Sequence, residues 1–330
     1  MESKYSKYKG QARFRKLLSQ KDKKTREKWE KEQLELKNKL IEEDDHKWVI
    51  DNNKKNKKEK AESNESNEKN DNNNKNTINI IKEKESKEKL RYIGGVDISF
   101  DKYDKDVGIS GLVICDAEQN YKIVYENYKL IKIEEPYIPS FLAFREVNPY
   151  VELINDLKQK KPQFVPQVIL VDGNGILHTR EFGIASHLGV LVDIPTIGVA
   201  KTVFALKDEG ITEDHVIEMY KEKTKEFGDS YALIGKSGKK WGYALRSTDY
   251  YDYPIIISLG HKISNETALE ITKMCCFYKE PEPIRLADLI TRRLIKAYQN
   301  FIYYNPKKKW NLKHYFHQNY KYIHQKLYPK

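Results

Sequence analysis

Two aspartates occur in apolar segments that have the composition of buried β-strands, and this placement indicates chemistry. Asp172 ends a run of valine, isoleucine and leucine and leads into a loop with Gly173 and Gly175. Asp97 lies inside a second apolar segment, 92–100. A carboxylate in an apolar strand costs free energy unless it is solvated, paired or bound to metal, and glycine lets a ligand approach the backbone. The pattern indicates a hydrolytic metal site that acts on a phosphate backbone.

The overall charge favours a polyanionic partner. The 330 residues carry a formal net charge of +11 at pH 7, which suits nucleic acid or a membrane surface. No apolar run approaches the roughly 18 residues that cross a bilayer, and the basic N-terminus lacks the apolar core of a signal peptide. The three cysteines, Cys115, Cys275 and Cys276, offer neither a disulfide framework nor zinc-site spacing. We expect an intracellular protein, cytoplasmic or nuclear, with no membrane partner.

Composition divides the chain into five segments. A tract rich in Asn, Lys and Glu has no apolar period and cannot offset its ordering entropy by burial, so we predict disorder there. The predicted segments are a basic N-terminal extension (1–23), an N-terminal helix of the catalytic domain (24–50), a disordered insert (51–89), the main domain (90–295) and a basic, aromatic C-terminal extension (296–330). The last segment suits either a track for single-stranded nucleic acid or helices packed on the core.

The pattern of the main domain predicts a mixed α/β sheet. Three strand-like segments, 92–100, 106–115 and 121–130, are joined by short polar connections, which predicts antiparallel hairpins. Three antiparallel strands followed by alternating helices and strands is the order of a ribonuclease H-like fold. The later predicted segments are a helix that ends near residue 160, helices at 182–191, 213–226, 265–278 and 283–303, a strand that ends at Asp172, and strands at 195–200, 241–247 and 254–259.

The main domain resembles the endonuclease V family, the deoxyinosine 3′-endonucleases. The first helix adds Trp29 and Gln33 to this resemblance. The motifs that carry it are Gly94-Gly-Val-Asp-Ile-Ser-Phe100, Pro136-Tyr-Ile-Pro-Ser-Phe-Leu-Ala-Phe-Arg-Glu146, Val171-Asp-Gly-Asn-Gly-Ile-Leu-His178, Ile197-Gly-Val-Ala-Lys201 and Ser258-Leu-Gly-His-Lys262. Each motif is weak alone, but together they stand in the family's order.

The resemblance implies a divalent-metal site made by Asp97, Asp172 and Glu146. Mg²⁺, with Mn²⁺ as a substitute, takes carboxylate oxygens together with water and substrate phosphate. The alternative for both aspartates is an ordinary exposed strand position. For Glu146, one helix over 141–158 would place it on an apolar face, whereas a helix that begins at Pro149 would leave it in an exposed loop.

Two histidines and a lysine in the motifs are further candidates. The resemblance implies that His261 completes the active site, near the metal and the reacting water. Lys201 ends a strand and is expected to supply positive charge to the scissile phosphate or to orient water. His178, in the loop after Asp172, is expected to contact phosphate or to support the metal ligands. The plain alternatives are hydrogen-bonded loop histidines and a solvated lysine.

The resemblance also implies a site for an extruded base. Tyr137 stands between two prolines, which stiffen its loop and pre-position the ring. In the family this loop is a wedge that fills the gap left by the base; the alternative is a core tyrosine that covers the sheet edge. The positions that match the family's hypoxanthine pocket, which is largely backbone, are Ser140 (where many members carry glycine), Leu142, Gly173, Gly183 and Ile184.

These features imply a monomeric endonuclease that recognises inosine and cuts the second phosphodiester bond on its 3′ side, leaving 5′-phosphate and 3′-hydroxyl ends. Asn174 and Leu177 resemble the eukaryotic branch, which favours inosine in RNA, so single-stranded RNA is expected, with DNA cleavage retained. Two rivals stay open. Another ribonuclease H-like nuclease would not need the wedge, and a non-catalytic inosine-binding module would gain nothing from acids beside phosphates.

Overall fold

The structure, a computed structural model, describes residues 20–50 and 88–304. Its elements follow in chain order. They are α1 (Gln20–Lys37), β1 (Trp48–Val49), β2 (Glu88–Lys89), β3 (Tyr92–Phe100), β4 (Val107–Asp116), β5 (Lys122–Lys132), α2 (Ala143–Lys160), β6 (Val168–Asp172), α3 (Ile184–Val192), β7 (Thr196–Ala200), α4 (Glu213–Lys223), β8 (Ser230–Ile234), β9 (Lys240–Leu245), β10 (Ile255–His261), α5 (Asn265–Cys275) and α6 (Glu282–Gln299).

Eight of the strands form one mixed sheet in the order β5-β4-β3-β6-β7-β10-β9-β8. β3, β4 and β5 are antiparallel neighbours, and β6 and β7 run parallel to β3. β6 and β7 are short and almost fully buried, as expected for parallel strands that helices cover on both faces. The predicted order of three antiparallel strands followed by alternating helices and strands is confirmed, and with it the ribonuclease H-like class.

Helices cover the sheet on both faces, and the two faces are named here by their helices. α2 and α3 pack on one face through residues such as Tyr150 and Leu188, and α5 and α6 pack on the other through residues such as Leu294. α6 approaches β3 closely, because a Cβ added at Gly95 would lie 2.2 Å from the backbone of Pro283. The glycine therefore allows α6 to lie directly on the middle of the sheet.

The N-terminal helix is shorter than predicted. α1 ends at Lys37, so the prediction of one helix over 24–50 is wrong in its second half. The chain then runs to Trp48, which is buried and stacks on His46 with ring centroids 3.6 Å apart. Burial of a large aromatic ring outweighs the weak helical preference of a short, charged segment.

The predicted insert wrongly includes Glu88 and Lys89, which form β2. β2 pairs in parallel with β1, so Glu88 and Lys89 belong to a short sheet, and the prediction of disorder is wrong for these two residues. Backbone pairing with β1 holds them although their side chains are exposed. The rest of the predicted insert (51–87), the N-terminal residues 1–19 and the C-terminal residues 305–330 lie outside the described residues.

α2 decides between the two alternatives for Glu146. It is a single helix with Pro149 inside it, so a helix that begins at the proline is excluded. An internal proline costs about 3 kcal/mol, whereas each fully buried large apolar side chain contributes about 1.5–3 kcal/mol. Tyr150, Leu153 and Leu157 are buried on the same helix, and their burial outweighs the lost hydrogen bond.

One further strand and one domain boundary differ from the sequence prediction. β8 was not predicted; it lies at the sheet edge, is only partly buried, and is stabilised by pairing with β9 rather than by a strong pattern of its own. After α6, a π-helical turn spans Asn300–Tyr304, so helical structure covers the predicted helix at 283–303 and continues past residue 295, where the main domain was predicted to end. None of the helices in the described ranges is long and apolar enough to cross a membrane.

Candidate active site

Asp97 and Asp172 are neighbours because β3 and β6 pair in parallel register. Val96 lies opposite Val171, so the next residue of each strand points to the same face of the sheet. That face is the one covered by α6, since Asp97 Oδ2 accepts a 2.8 Å hydrogen bond from Thr291 Oγ1 of that helix. Two strands remote in sequence thus present their carboxylates side by side.

Glu146 joins this pair electrostatically from α2. Burial, followed by the charges of Asp97 and Asp172, raises the pKa of Glu146 to about 8. Burial is also the main reason that the pKa of Asp97 is raised to about 7; the charges of Asp172 and Asp288 raise it and the hydrogen bond from Thr291 opposes them. The Asp97 and Glu146 residues are only 6% and 9% exposed. Acidic groups that repel one another in a buried place are stabilised by protons or by a cation.

α6 contributes a fourth carboxylate that the sequence analysis missed. Asp288 raises the pKa of Asp97 and pairs with Arg292 at 2.6 Å. One turn later Thr291 donates to Asp97, so its hydroxyl oxygen accepts from Ser99 Oγ at 2.9 Å. The sequence held a signal, because two polar residues three apart on the buried side of an amphipathic helix need partners.

Lys201 bridges Asp172 and a second acidic residue that was not predicted, Glu280. Lys201 Nζ lies 2.8 Å from Asp172 Oδ2 and 3.3 Å from Glu280 Oε1. Burial lowers the pKa of Lys201, but the two carboxylates outweigh burial and hold the pKa above its ordinary value. The lysine therefore stays protonated and places positive charge beside the acidic cluster.

The donor chemistry of the cluster suits a hard divalent cation, although its geometry is open. Within residues 20–50 and 88–304, no three His, Cys, Asp or Glu side chains lie close enough together to hold one metal ion. One carboxylate oxygen of Asp97 accepts a hydrogen bond from Thr291, and one of Asp172 accepts a hydrogen bond from Lys201. The fit rests on the oxygen donors and on the repulsion between buried carboxyls, which a divalent cation would relieve. Ligation by all three predicted residues therefore requires side-chain rotation.

The loop that carries Tyr137 is anchored by two buried side chains. Its Ile138 and Phe141 are buried, and the Phe141 ring lies 6.0 Å from that of Trp29 on α1. The Tyr137 side chain is 67% exposed, with the Arg145 guanidinium 5.7 Å from its ring centroid. A held loop with an accessible ring does not match the alternative of a core tyrosine.

Ser140 continues this loop in a conformation that favours glycine. Its φ is +65°, in the left-handed region that strains side chains other than glycine. The Ser140 carbonyl accepts a hydrogen bond from the Arg180 guanidinium, whose Nε also bonds Gln33 on α1. Leu142, the next predicted pocket position, is exposed. Arg180 and Gln33 therefore fix the backbone next to the predicted base pocket.

His178 supports the same loop, because its ring nitrogens bond backbone atoms rather than the carboxylates among the described residues. Its Nε2 lies 3.2 Å from the Ser140 carbonyl, and its Nδ1 accepts from the backbone N–H of Arg180 at 3.3 Å. Burial, followed by the charge of Arg180, lowers the pKa of His178 to about 4. The ring is neutral at pH 7, so it offers no positive charge to a phosphate and acts as a support for the loop.

Gly173, Gly183 and Ile184 come together, as a shared pocket requires. Gly173 has a φ of +146°, and a Cβ there would lie 2.5 Å from Ile184 Cγ2. Two backbone donors of this region are already engaged: the N–H of Gly173 donates to Val199 and that of Gly183 donates to Gly175. Recognition of a base here therefore depends on other groups than these two amides.

His261 lies at the wrong end of the sheet for the predicted role. It pairs with Thr196 at the start of β7, whereas Asp172 pairs with Val199 near the end of the same strand. Its Nδ1 accepts from the backbone N–H of Ile41 at 3.3 Å. The structure thus does not bring His261 to the carboxylates, because β10 is antiparallel to β7 and carries its last residue away from them.

Comparison with known proteins identifies one family. A family model described as Endonuclease V matches residues 74–289. The chain is 45% identical to Endonuclease V of Mus musculus over 210 residues, which are 63% of this chain and 60% of the mouse protein. It is 43% identical to Endonuclease V of Homo sapiens over 210 residues, which are 63% of this chain and 72% of the human protein. The match thus spans less than two thirds of the mouse relative.

Solved structures of the same family superpose on the chain. The crystal structure of human endonuclease V matches with a TM-score of 0.66 and 35% identity, covering 82% of this chain and 98% of that one. Endonuclease V of Ciona intestinalis, crystallised with a 23-mer DNA containing an inosine followed by a ribo-adenosine, matches with a TM-score of 0.67 and 32% identity. That match covers 83% of this chain and 98% of the Ciona chain.

Proposed function

The chain belongs to the endonuclease V family, and on this premise we propose that it is a metal-dependent endonuclease acting on nucleic acid that contains inosine. It hydrolyses the second phosphodiester bond on the 3′ side of inosine and leaves 5′-phosphate and 3′-hydroxyl ends. The observation that carries the proposal is the parallel register of β3 and β6, which sets Asp97 beside Asp172. Glu146 on α2 lies close enough to this pair for the charges of Asp97 and Asp172 to raise its pKa, so it supplies a third carboxyl group.

The carboxylates of Asp97, Asp172 and Glu146 would hold Mg²⁺, with Mn²⁺ as a substitute. When bound, the cation supplies positive charge to the phosphate and acidity to a coordinated water. Asp97 and Glu146 bind protons near neutral pH, since their pKa values are raised to about 7 and about 8. They must release those protons before they bind a cation, so affinity for the cation should rise with pH. Lys201 would face the charge that develops on the scissile phosphate.

Base recognition is assigned to the loop of Tyr137 and to the segment after Asp172. Extruding a base costs a few kcal/mol, and stacking on an aromatic ring returns about 1–3 kcal/mol. Inosine presents an N1–H donor, where adenosine presents an acceptor. The Oδ1 atom of Asn174 is buried and has no hydrogen-bond partner among the described residues. An unpaired acceptor next to the pocket would favour inosine over adenosine.

Single-stranded RNA is the proposed preferred substrate, with DNA also cleaved. The support is the resemblance of Asn174 and Leu177 to the eukaryotic branch, together with the Ciona relative, whose ligand carries a ribonucleotide directly after the inosine. Matched RNA and DNA oligonucleotides with one inosine, compared in Mg²⁺ at one salt concentration, test this preference. Equal kcat/KM on both would contradict it.

Cleavage-site mapping tests the central proposal. An oligonucleotide with a single inosine and its adenosine twin are incubated with the protein in Mg²⁺, in Mn²⁺ and in chelator. We expect one metal-dependent product that ends at the second bond 3′ to inosine, and no product from the twin. Equal cleavage of both strands would indicate another ribonuclease H-like nuclease. Retention of the inosine strand without product would indicate a binding module.

A further inference from the structure

A pocket of about 670 Å³ lies next to the acidic cluster on the α6 face of the sheet. We call it the aromatic pocket. Four segments form it: the loop between α4 and β8, the loop after β9, the loop before α6, and α6 itself. Its lining residues are Phe227, Ser247, Thr248, Asp249, Tyr250, Tyr251, Phe277, Tyr278, Lys279, Glu280, Arg285, Asp288 and Arg292. None of the predicted site residues is among them.

The pocket is lined by several solvent-exposed aromatic side chains. Phe227, Tyr251, Phe277 and Tyr278 are each at least half exposed, and Tyr250 is 93% exposed. Exposed apolar surface concentrated in one concave place marks a binding site. Flat rings of this kind stack on nucleobases of any sequence, and only unpaired bases offer both faces for stacking.

The aromatic pocket is continuous with the acidic cluster. Glu280 in its wall lies 3.3 Å from Lys201 Nζ, and Asp288 raises the pKa of Asp97. Arg292 pairs with Asp288 at 2.6 Å. A strand whose scissile phosphate lies at the carboxylates would thus continue directly into the pocket.

The loop of Tyr137 and the aromatic pocket lie on opposite faces of the sheet, on either side of the acidic cluster. The loop of Tyr137 leads into α2, on one face of the sheet, whereas the aromatic pocket is built on α6, on the other face. A single strand that crosses the end of β6 would pass from the proposed base pocket, over the carboxylates, to the aromatic rings. With the cut placed 3′ to inosine, the nucleotides that arrive there are those beyond the cleaved bond.

We propose that the aromatic pocket binds the unpaired bases of the first two nucleotides on the 3′ side of the cleaved bond, with Tyr250 as the main stacking residue. This inference rests on the proposed function. We expect stacking to dominate over charge, because two cations of the wall have acidic partners, Arg285 with Glu282 and Arg292 with Asp288. The third, Lys279, lies over the Tyr251 ring. The pocket therefore selects single-stranded over paired substrate on the downstream side.

Base-deleted substrates test the pocket. One inosine oligonucleotide is compared with variants in which an abasic spacer replaces one base at a time beyond the cleaved bond. For the wild type we expect KM to rise about 5- to 150-fold at one of the first two positions. Tyr250→Ala should raise KM on the intact substrate to a similar extent and should no longer respond to the spacer at that position. Tyr250→Trp should restore the wild-type pattern.

Tyr253→Ala is the matched control. Tyr253 lies in the same loop region and is 58% exposed, but its ring packs under Lys221 outside the aromatic pocket. This variant should keep the wild-type KM and the wild-type response to every spacer. The KM ratio between Tyr250→Ala and wild type should also be the same at low and high salt, as expected for stacking rather than ion pairing.

Two results would overturn the proposal. One is a Tyr250→Ala variant with wild-type KM on every substrate, which would show that this ring does not stack on the downstream bases. The other is equal loss on spacer substrates for wild type and variant. If the wild type shows no inosine-dependent cleavage, the proposed function fails, and the pocket is then judged by binding alone. Tyr250→Ala should still weaken binding of an inosine-free single strand while leaving duplex binding unchanged.

Discussion

Glu146→Gln should stabilise the metal-free protein, and the gain should grow with pH. The pKa of Glu146 is raised from 4.5 to about 8 in the folded protein, mainly by burial. Between these two pKa values the Glu146 carboxyl is ionised in the unfolded chain but stays protonated in the folded protein. The free energy of unfolding of the wild type therefore falls as pH rises. Glutamine is neutral throughout and carries no such cost. From proton linkage, the free energy of unfolding of Glu146→Gln should exceed that of the wild type by about 1 kcal/mol at pH 5, about 3 kcal/mol at pH 7 and about 5 kcal/mol above pH 8.

Urea unfolding in chelator at four pH values from 5 to 8 measures this difference, with fluorescence of the buried tryptophans as the probe. Glu152→Gln is the control, because Glu152 is exposed on the same helix and pairs with Lys129 at the surface. It should change stability by about 0.5 kcal/mol or less at every pH. Saturating Mg²⁺ should then stabilise the wild type at pH 8 more than it stabilises Glu146→Gln.

Parallel stability curves for wild type and Glu146→Gln from pH 5 to pH 8 would refute the argument that burial and neighbouring carboxylates hold a proton on this side chain. A stability gain that shrinks with rising pH would contradict the direction of the pKa shift. It would mean that the folded protein stabilises the charged form of Glu146.

Three further outcomes are expected. Ser140→Gly should raise the free energy of unfolding by about 0.5–1 kcal/mol, since φ is +65° there; an unchanged urea midpoint would contradict this. Gly95→Ala should destabilise the protein by about 3 kcal/mol or more because a Cβ would lie 2.2 Å from the Pro283 backbone, whereas Gly94→Ala meets only side chains at 3.2 Å or more and should cost less; equal thermal shifts would argue against the close packing of α6. Lys201→Ala should lower kcat on an inosine oligonucleotide about 100-fold, and single-turnover rates within threefold of wild type would remove the lysine from the proposed chemistry.

The strand-borne acids were predictable because their signals are local. Asp97 and Asp172 each stand in an uninterrupted apolar run, and a carboxylate in such a run needs a partner wherever the strand lies. The stiff loop of Tyr137 was predictable for the same reason, since two prolines act on their own neighbours. Glu146 required more, because local rules gave Pro149 as a helix start and only burial along the whole of α2 overrides that preference.

Residues whose roles depend on distant partners were misplaced or missed. His261 belongs to a family-like motif, but strand direction puts it opposite Thr196 and away from the carboxylates. Asp288 and Glu280 stand in segments with no motif, yet α6 and the loop before it carry them to Asp97 and Lys201. Local composition specifies which residues are costly to bury; strand order, register and the packing of α6 on β3 specify which of them meet, because those distances are set by contacts between parts of the chain far apart in sequence.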